Sequence, residues 1–139
     1  MWKTEHTHDS DAAPEAVFAL WADVEGWPAW DASLIATTLD GPFAAGTNGT
    51  LHPQGMPEPI AFRLTAVEPG AGFADETRLG PLALRFQHRV EPRGAGSRIV
   101  VSVEAEGPDA DRIGPAVAED LAESVAALAG AAVRSAQPT

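Results

Sequence analysis

Apolar and polar positions alternate from the first residues of the chain. Trp2, Thr4, His6 and His8 fall on one face, and Lys3, Glu5, Thr7 and Asp9 on the other. A period of two predicts a β-strand over Trp2 to Asp9. The period then changes. Ser10-Asp-Ala-Ala-Pro14 gives a helix start, with Asp11 or Ser10 as cap candidate and proline in the first turn. Val17, Phe18, Leu20 and Trp21 are spaced for a helix with one apolar face. Gly26 and Pro28 stop it, and a second short helix or turn carries Trp27 and Trp30.

From Ser33 the pattern becomes a series of short strands. They run over Leu34 to Leu39, Thr47 to His52, Ile60 to Val67, Gly72 to Arg78, Leu82 to Glu91 and Ser97 to Glu106. Turn signals separate them: Asp40-Gly-Pro, Gly55-Met-Pro-Glu-Pro, Glu68-Pro-Gly70, Gly80-Pro81 and Pro92-Arg-Gly-Ala-Gly96. Turns recurring at this spacing predict one antiparallel meander. Residues 107–134 change character again. Val117, Leu121, Val125, Leu128 and Ala132 form one stripe at helical spacing in an alanine-rich segment. Pro115 suits the first turn of a helix better than its interior, and Asp109 or Asp111 is a cap candidate for an earlier turn. A long helix with one apolar stripe must cover something, and a curved antiparallel sheet of about seven strands is the available partner. The expectation is an α+β domain over 1–134, with a loose tail at 135–139.

Composition narrows the classes. The chain has 139 residues, 45% of them apolar, which is enough for one core and too apolar for disorder. Its formal charge is -11, and its nine basic residues are scattered. Such a surface repels phosphate backbones and anionic lipid heads, so neither nucleic acid nor a membrane is expected as a partner. No apolar run is long enough to span a bilayer, and the N-terminus lacks the pattern of a signal peptide. There is no cysteine, which excludes disulfides, zinc-thiolate sites and cysteine nucleophiles. A cytoplasmic location is the expectation.

Several residues carry a resemblance. Ala12-Ala-Pro-Glu-Ala-Val-Phe18, the following Asp23, Trp27-Pro-Ala-Trp30, the Gly46-Thr47 step with Gly49, and Phe86-Gln-His-Arg-Val90 together resemble the START-like superfamily. It is also described as the polyketide cyclase/dehydrase and lipid-transport superfamily, with the helix-grip or birch-pollen-allergen-like fold. The resemblance covers essentially the whole chain. It implies a sheet curled around the C-terminal helix, an internal cavity, and two small helices closing one end. The implied function is binding of a hydrophobic or amphipathic small molecule: a lipid, polyketide, isoprenoid or aromatic metabolite. Some members catalyse cyclisation or dehydration, many carry or sense a ligand, and some bind another protein. None of the matching motifs is catalytic, and no cofactor is implied.

Among titratable residues, His88 stands out. Alternation puts Leu84, Phe86, His88 and Val90 on the inner face, and Arg85, Gln87 and Arg89 on the outer one. His88 is therefore a candidate for general acid or base, for ligand orientation, or for a satisfied buried histidine. His6 and His8 share one face and can reach one metal only with a third ligand, so no metal site is assigned. Trp27 and Trp30 are candidates for the cavity mouth, whereas Trp21 suits core packing. Phe62, Leu64, Phe73, Leu84, Phe86, Val101 and Val125 complete the expected ligand-binding wall. Asp75-Glu76 and Glu104/Glu106 are carboxylate candidates for acid/base work. One member of Asp75-Glu76 faces out, and Glu104 and Glu106 lie opposite the apolar set Val101, Val103 and Ala105, on the solvated side. Arg63, Arg85, Arg89 and Arg98 belong to outer faces, and Arg78 is a candidate for the cavity rim. The edge strand Trp2 to Asp9 offers a surface for a homodimer.

Three functions are weighed. A ligand carrier has a mostly apolar cavity with one or two polar anchors. A cyclase or dehydratase using His88 has two or more polar groups converging on one cavity point. A protein-interaction module of the co-chaperone kind has a filled core and an exposed apolar patch.

Overall fold

A computed structural model describes residues 1–136. Seven strands form one antiparallel sheet: β1 (Trp2–Ser10), β2 (Leu34–Leu39), β3 (Asn48–Pro53), β4 (Ile60–Glu68), β5 (Gly72–Leu79), β6 (Leu82–Arg93) and β7 (Gly96–Glu106). The order across the sheet is β1-β7-β6-β5-β4-β3-β2. Consecutive strands from β2 to β7 pair as neighbours, as short turns require. The first strand closes onto the last, and β1 and β2 are the two edges.

Helix α1 (Pro14–Ala22) and a 3-10 turn (Val24–Ala29) follow β1. Neither Asp11 nor Ser10 caps α1. Its N-cap position is Ala13, without a side-chain hydrogen bond. Ser10 lies too far upstream and joins three elements instead. Its hydroxyl donates to the Ala129 carbonyl at 2.9 Å and accepts from the Ala12 N–H at 3.1 Å. The tryptophan corner is held the same way. The Trp27 indole N–H donates to the Trp21 carbonyl at 3.0 Å, and the Thr37 hydroxyl donates to the Val24 carbonyl.

The helical segment expected over 107–134 is divided in two, α2 (Ala110–Ala118) and α3 (Leu121–Ala136). Pro115 sits inside α2, not in its first turn. It lacks the N–H that would pair with the Asp111 carbonyl, and both residues are exposed, where water can take that group. Asp109 occupies the N-cap position with a left-handed backbone (φ 63°) and makes no capping hydrogen bond. Helix α3 runs through Ser135 and Ala136, and residues 137–139 of the expected tail lie outside the described residues. No helix among the described residues is long and apolar enough to cross a membrane.

Inner positions follow the pleat. Val90, Ile99, Val101 and Leu64 from the sheet pack with Val125, Leu128 and Ala132 of α3 and with Val17 and Trp21 of α1. Trp2 packs with Leu82, Leu84 and Ala105 beneath α2, and Gly114 makes room for it: a Cβ there would sit 2.3 Å from the Trp2 ring. On the outer face, Glu76 accepts from Arg78 at 2.9 Å and from Arg85 at 3.0 Å, and Arg85 also reaches Glu106 at 2.9 Å. Exposed pairs of this kind contribute about 0–1 kcal/mol each. Arg78 is thus an outer-face residue and not a rim residue, because Phe73, Asp75 and Thr77 take the inward positions of β5.

Gly72 permits the closest approach between β5 and β6. A Cβ at that position would lie 2.0 Å from the His88 carbonyl oxygen and 3.1 Å from Arg89 Cα. Both are backbone atoms and cannot rotate aside. Gly72→Ala is expected to destabilise the protein by at least the upper end of the roughly 1–3 kcal/mol seen for overpacking. Urea denaturation measures it, and an unchanged midpoint would contradict the assigned strand spacing.

Candidate functional site

A cavity of about 720 Å³ lies between the inner face of the sheet, the tryptophan corner and α3. That volume falls within the roughly 300–1,000 Å³ of small-molecule sites. Trp21, Trp27 and Trp30 come from the corner, Phe73 from β5, and Phe86 and His88 from β6. Val101 on β7 and Val125 and Leu128 on α3 close the far wall. The exposed end is rimmed by Met56, Leu79, Asp120 and Glu123.

Three inward polar side chains share this wall. Asp75 and Thr77 alternate with Phe73 on β5, and His88 pairs with Phe73 across the strands. The His88 ring stacks on Phe73 with centroids 3.9 Å apart and planes 4° apart. Trp21 meets it edge-on at 5.7 Å. His88 Nδ1–H donates to the Phe73 carbonyl at 3.3 Å, which leaves Nε2 as an acceptor. Asp75 Oδ2 lies 3.9 Å from His88 Nδ1, too far for a hydrogen bond. Its side chain is 9% exposed and that of His88 is 15%.

Burial sets the charge of both groups. It pushes the Asp75 carboxyl up from 3.8 to about 8. It pushes the His88 imidazole down from 6.5 to about 4, against a smaller opposing effect of the Phe73 carbonyl. At neutral pH the wall therefore carries a protonated carboxylic acid beside an unprotonated imidazole, a proton donor next to a proton acceptor. The Trp30 indole N–H, also at this wall, is buried with no hydrogen-bond partner among the described residues.

Of the residues expected to form the wall, Trp27, Trp30, Phe73, Leu84, Phe86, His88, Val101 and Val125 line the cavity. Phe62 and Leu64 do not. They are 3% and 0% exposed and sealed in the core, with Phe62 stacked beneath Trp27 at 6.0 Å. Trp21 is a core residue, 2% exposed, and a lining residue as well. His6 and His8 do not line the cavity, and His8 Nδ1–H donates to the Asp9 carbonyl at 2.7 Å. No group of three or more potential ligands for a metal occurs among the described residues.

The sequence offered the pair Asp75-Glu76 without deciding which carboxylate faces in, and Thr77 was not singled out. The signal was there: once Phe73 is placed inward, a period of two carries positions 75 and 77 inward with it. A second depression, of about 710 Å³, lies on the opposite face of the sheet, lined in part by Lys3, Glu5, Glu76, Arg85 and Glu104. Within it Arg85 pairs with Glu76 across the strands at 3.0 Å, and its charged lining suits a solvated surface.

A search of the curated proteins found no match. Solved structures give the fold. An aromatase/cyclase from Streptomyces sp. R1128 superposes with a TM-score of 0.79 at 18% identity, covering 98% of this chain and 96% of the other. A protein of Thermobifida fusca gives 0.78 at 21% identity, covering 100% and 98%. A norcoclaurine synthase mutant of Thalictrum flavum, in complex with a transition-state analogue, gives 0.77 at 14% identity, covering 98% and 96%. A family model matches residues 1–135, and the chain accordingly belongs to the family described as polyketide cyclase / dehydrase and lipid transport.

Proposed function

We propose that the protein binds a hydrophobic or amphipathic small molecule in the cavity, with the polar end of the ligand at Asp75 and His88. One observation carries the reading: an aromatic and aliphatic cavity of about 720 Å³ whose deep wall holds two inward titratable groups. Apolar walls supply affinity in proportion to the area they cover, roughly 25 cal/mol per Å². A few placed polar groups fix orientation. An unfilled interior of this size weighs against a protein-interaction module with a packed core. The charge of -11 weighs against nucleic acid, and the lack of cysteine goes with a cytoplasmic location.

A second reading, a cyclase or dehydratase, is favoured by the convergence of Asp75 and His88 on one point of the wall. The unprotonated imidazole can take a proton from a carbon beside a carbonyl. The protonated Asp75 can give its proton to a departing hydroxyl. A carbon–hydrogen and a carbon–oxygen bond break, a double bond forms, and water leaves.

Native mass spectrometry of the purified protein tests the first reading, together with titration of apolar probes followed by tryptophan fluorescence. A bound small molecule, or a probe that shifts the fluorescence of Trp21, Trp27 and Trp30, is the expected result. His88→Ala is expected to weaken binding about tenfold, the cost of one lost polar contact of about 1.4 kcal/mol. Unchanged affinity and stability in that variant would remove His88 from any role in the site.

A further inference from the structure

We propose that the cavity selects ligands whose polar end is a protonated amine, and that Asp75 is the group that receives it. This deepens the reading of the cavity as a ligand site and rests on it.

Charge distribution is the first support. The chain has nine Lys and Arg residues, and none of them lines the cavity. The cavity is lined by four carboxyl groups: Asp31, Asp120 and Glu123 toward the exposed end, and Asp75 within. A ligand carboxylate or phosphate would leave water, pass like charges and find no cation to receive it. That is a cost with no offset. A cation meets the opposite field throughout its path.

Asp75 is the second and independent support. Its side chain is nine-tenths buried on the cavity wall, and nothing but burial acts on its ionisation. Among the described residues no arginine, lysine or backbone N–H hydrogen-bonds the carboxyl. A buried acid with free acceptor capacity, facing an aromatic cavity, is a receptor for a donor carried by the ligand. The walls suit the same head group, because Trp21, Trp27, Phe73 and Phe86 present ring systems that attract cations.

The groups that face Asp75 are limited. His88 looks at it from β6, and Leu64 pairs with it from β4. Asp31 in the loop before β2, Asp120 just ahead of α3 and Glu123 in its first turn line the same cavity. A cation bound beside Asp75 favours its ionised form, so binding displaces the proton that Asp75 holds at neutral pH.

The test uses three probes with one body: 4-phenylbutylamine, 4-phenylbutanol and 4-phenylbutyrate, titrated calorimetrically into the intact protein at pH 7. The expected order is amine, alcohol, acid, with the amine at least tenfold tighter than the acid. Amine binding in buffers of different ionisation enthalpy is expected to release about one proton per molecule bound. In Asp75→Asn the release disappears and the amine-to-acid ratio falls at least fivefold. The exposed pair Asp120→Asn with Glu123→Gln is expected to lower the ratio in low salt and to change it little in high salt, where their field is already screened. An acid that binds as tightly as the amine, or an amine preference that survives Asp75→Asn, overturns the proposal and leaves the cavity reading standing. Failure of all three probes to bind overturns both.

Discussion

Asp75→Asn is expected to stabilise the protein by about 4 kcal/mol at pH 7. The folded chain keeps this carboxyl protonated up to about 8, whereas the unfolded chain releases the proton near 3.8. Holding the proton at pH 7 therefore costs stability, at about 1.4 kcal/mol per pH unit of difference. The pH dependence follows from Asp75 and His88 together. From about pH 4 to 6.5 the folded pair holds one proton, on Asp75, and the unfolded pair also holds one, on His88. The pair then adds no slope. From 6.5 to 8 the folded pair still holds one proton and the unfolded pair none, so stability falls as pH rises. The total fall is about 2 kcal/mol, and above 8 it levels off. In Asp75→Asn that fall is absent. His88 alone then makes stability rise with pH between about 4 and 6.5. Urea denaturation at a series of pH values measures both effects. An Asn variant that is less stable at pH 7, or that keeps the decline above 6.5, would refute the assigned state of Asp75. Buried acids that lower stability at neutral pH belong to sites kept for chemistry or binding, not for folding.

Trp21→Ala is the largest expected loss. Trp21 is 2% exposed and meets Phe73 at 5.6 Å and His88 at 5.7 Å, both edge-on. Removing the indole forfeits its burial and leaves a hole that its stiff neighbours fill only in part, at a cost of about 3–5 kcal/mol. Against a total stability of roughly 5–15 kcal/mol this is a large share. Thermal unfolding is expected to shift down by about 10–20 °C. Because Trp21 also lines the cavity, the variant that remains folded should hold bulkier probes than the wild type. Trp30→Ala is the comparison: Trp30 is half-buried at the cavity wall, so its truncation should alter binding more than melting. A shift for Trp21→Ala no larger than for Trp30→Ala would contradict the division between core and wall.

Much of this was legible in the chain. Alternation in Leu84, Phe86, His88 and Val90 placed His88 inward, and the structure has it there. The Trp27-Pro-Ala-Trp30 corner, the seven strands and the covering helix were read from period and turn chemistry. The break between α2 and α3 was not, because a helical stripe continues in register across Glu119 and Asp120 while the backbone turns. Phe62 and Leu64 have the same inward register as the wall residues. Tertiary packing decides that they are sealed and not cavity-facing: Trp27 lies over Phe62, and Leu64 is enclosed in the core cluster.

By itself, then, the sequence determined which side chains point inward, since a pleated strand and a helical stripe are local properties with fixed periods. It determined the charge excess and the aromatic supply for the same reason: both are carried by the residues themselves. Tertiary structure alone decided which inward residues meet empty space and which meet each other. It brought Asp75 on one strand to within 3.9 Å of His88 on the next and buried both. Their ionisation depends on that burial, and burial is a property of the assembled layers, which no single strand carries.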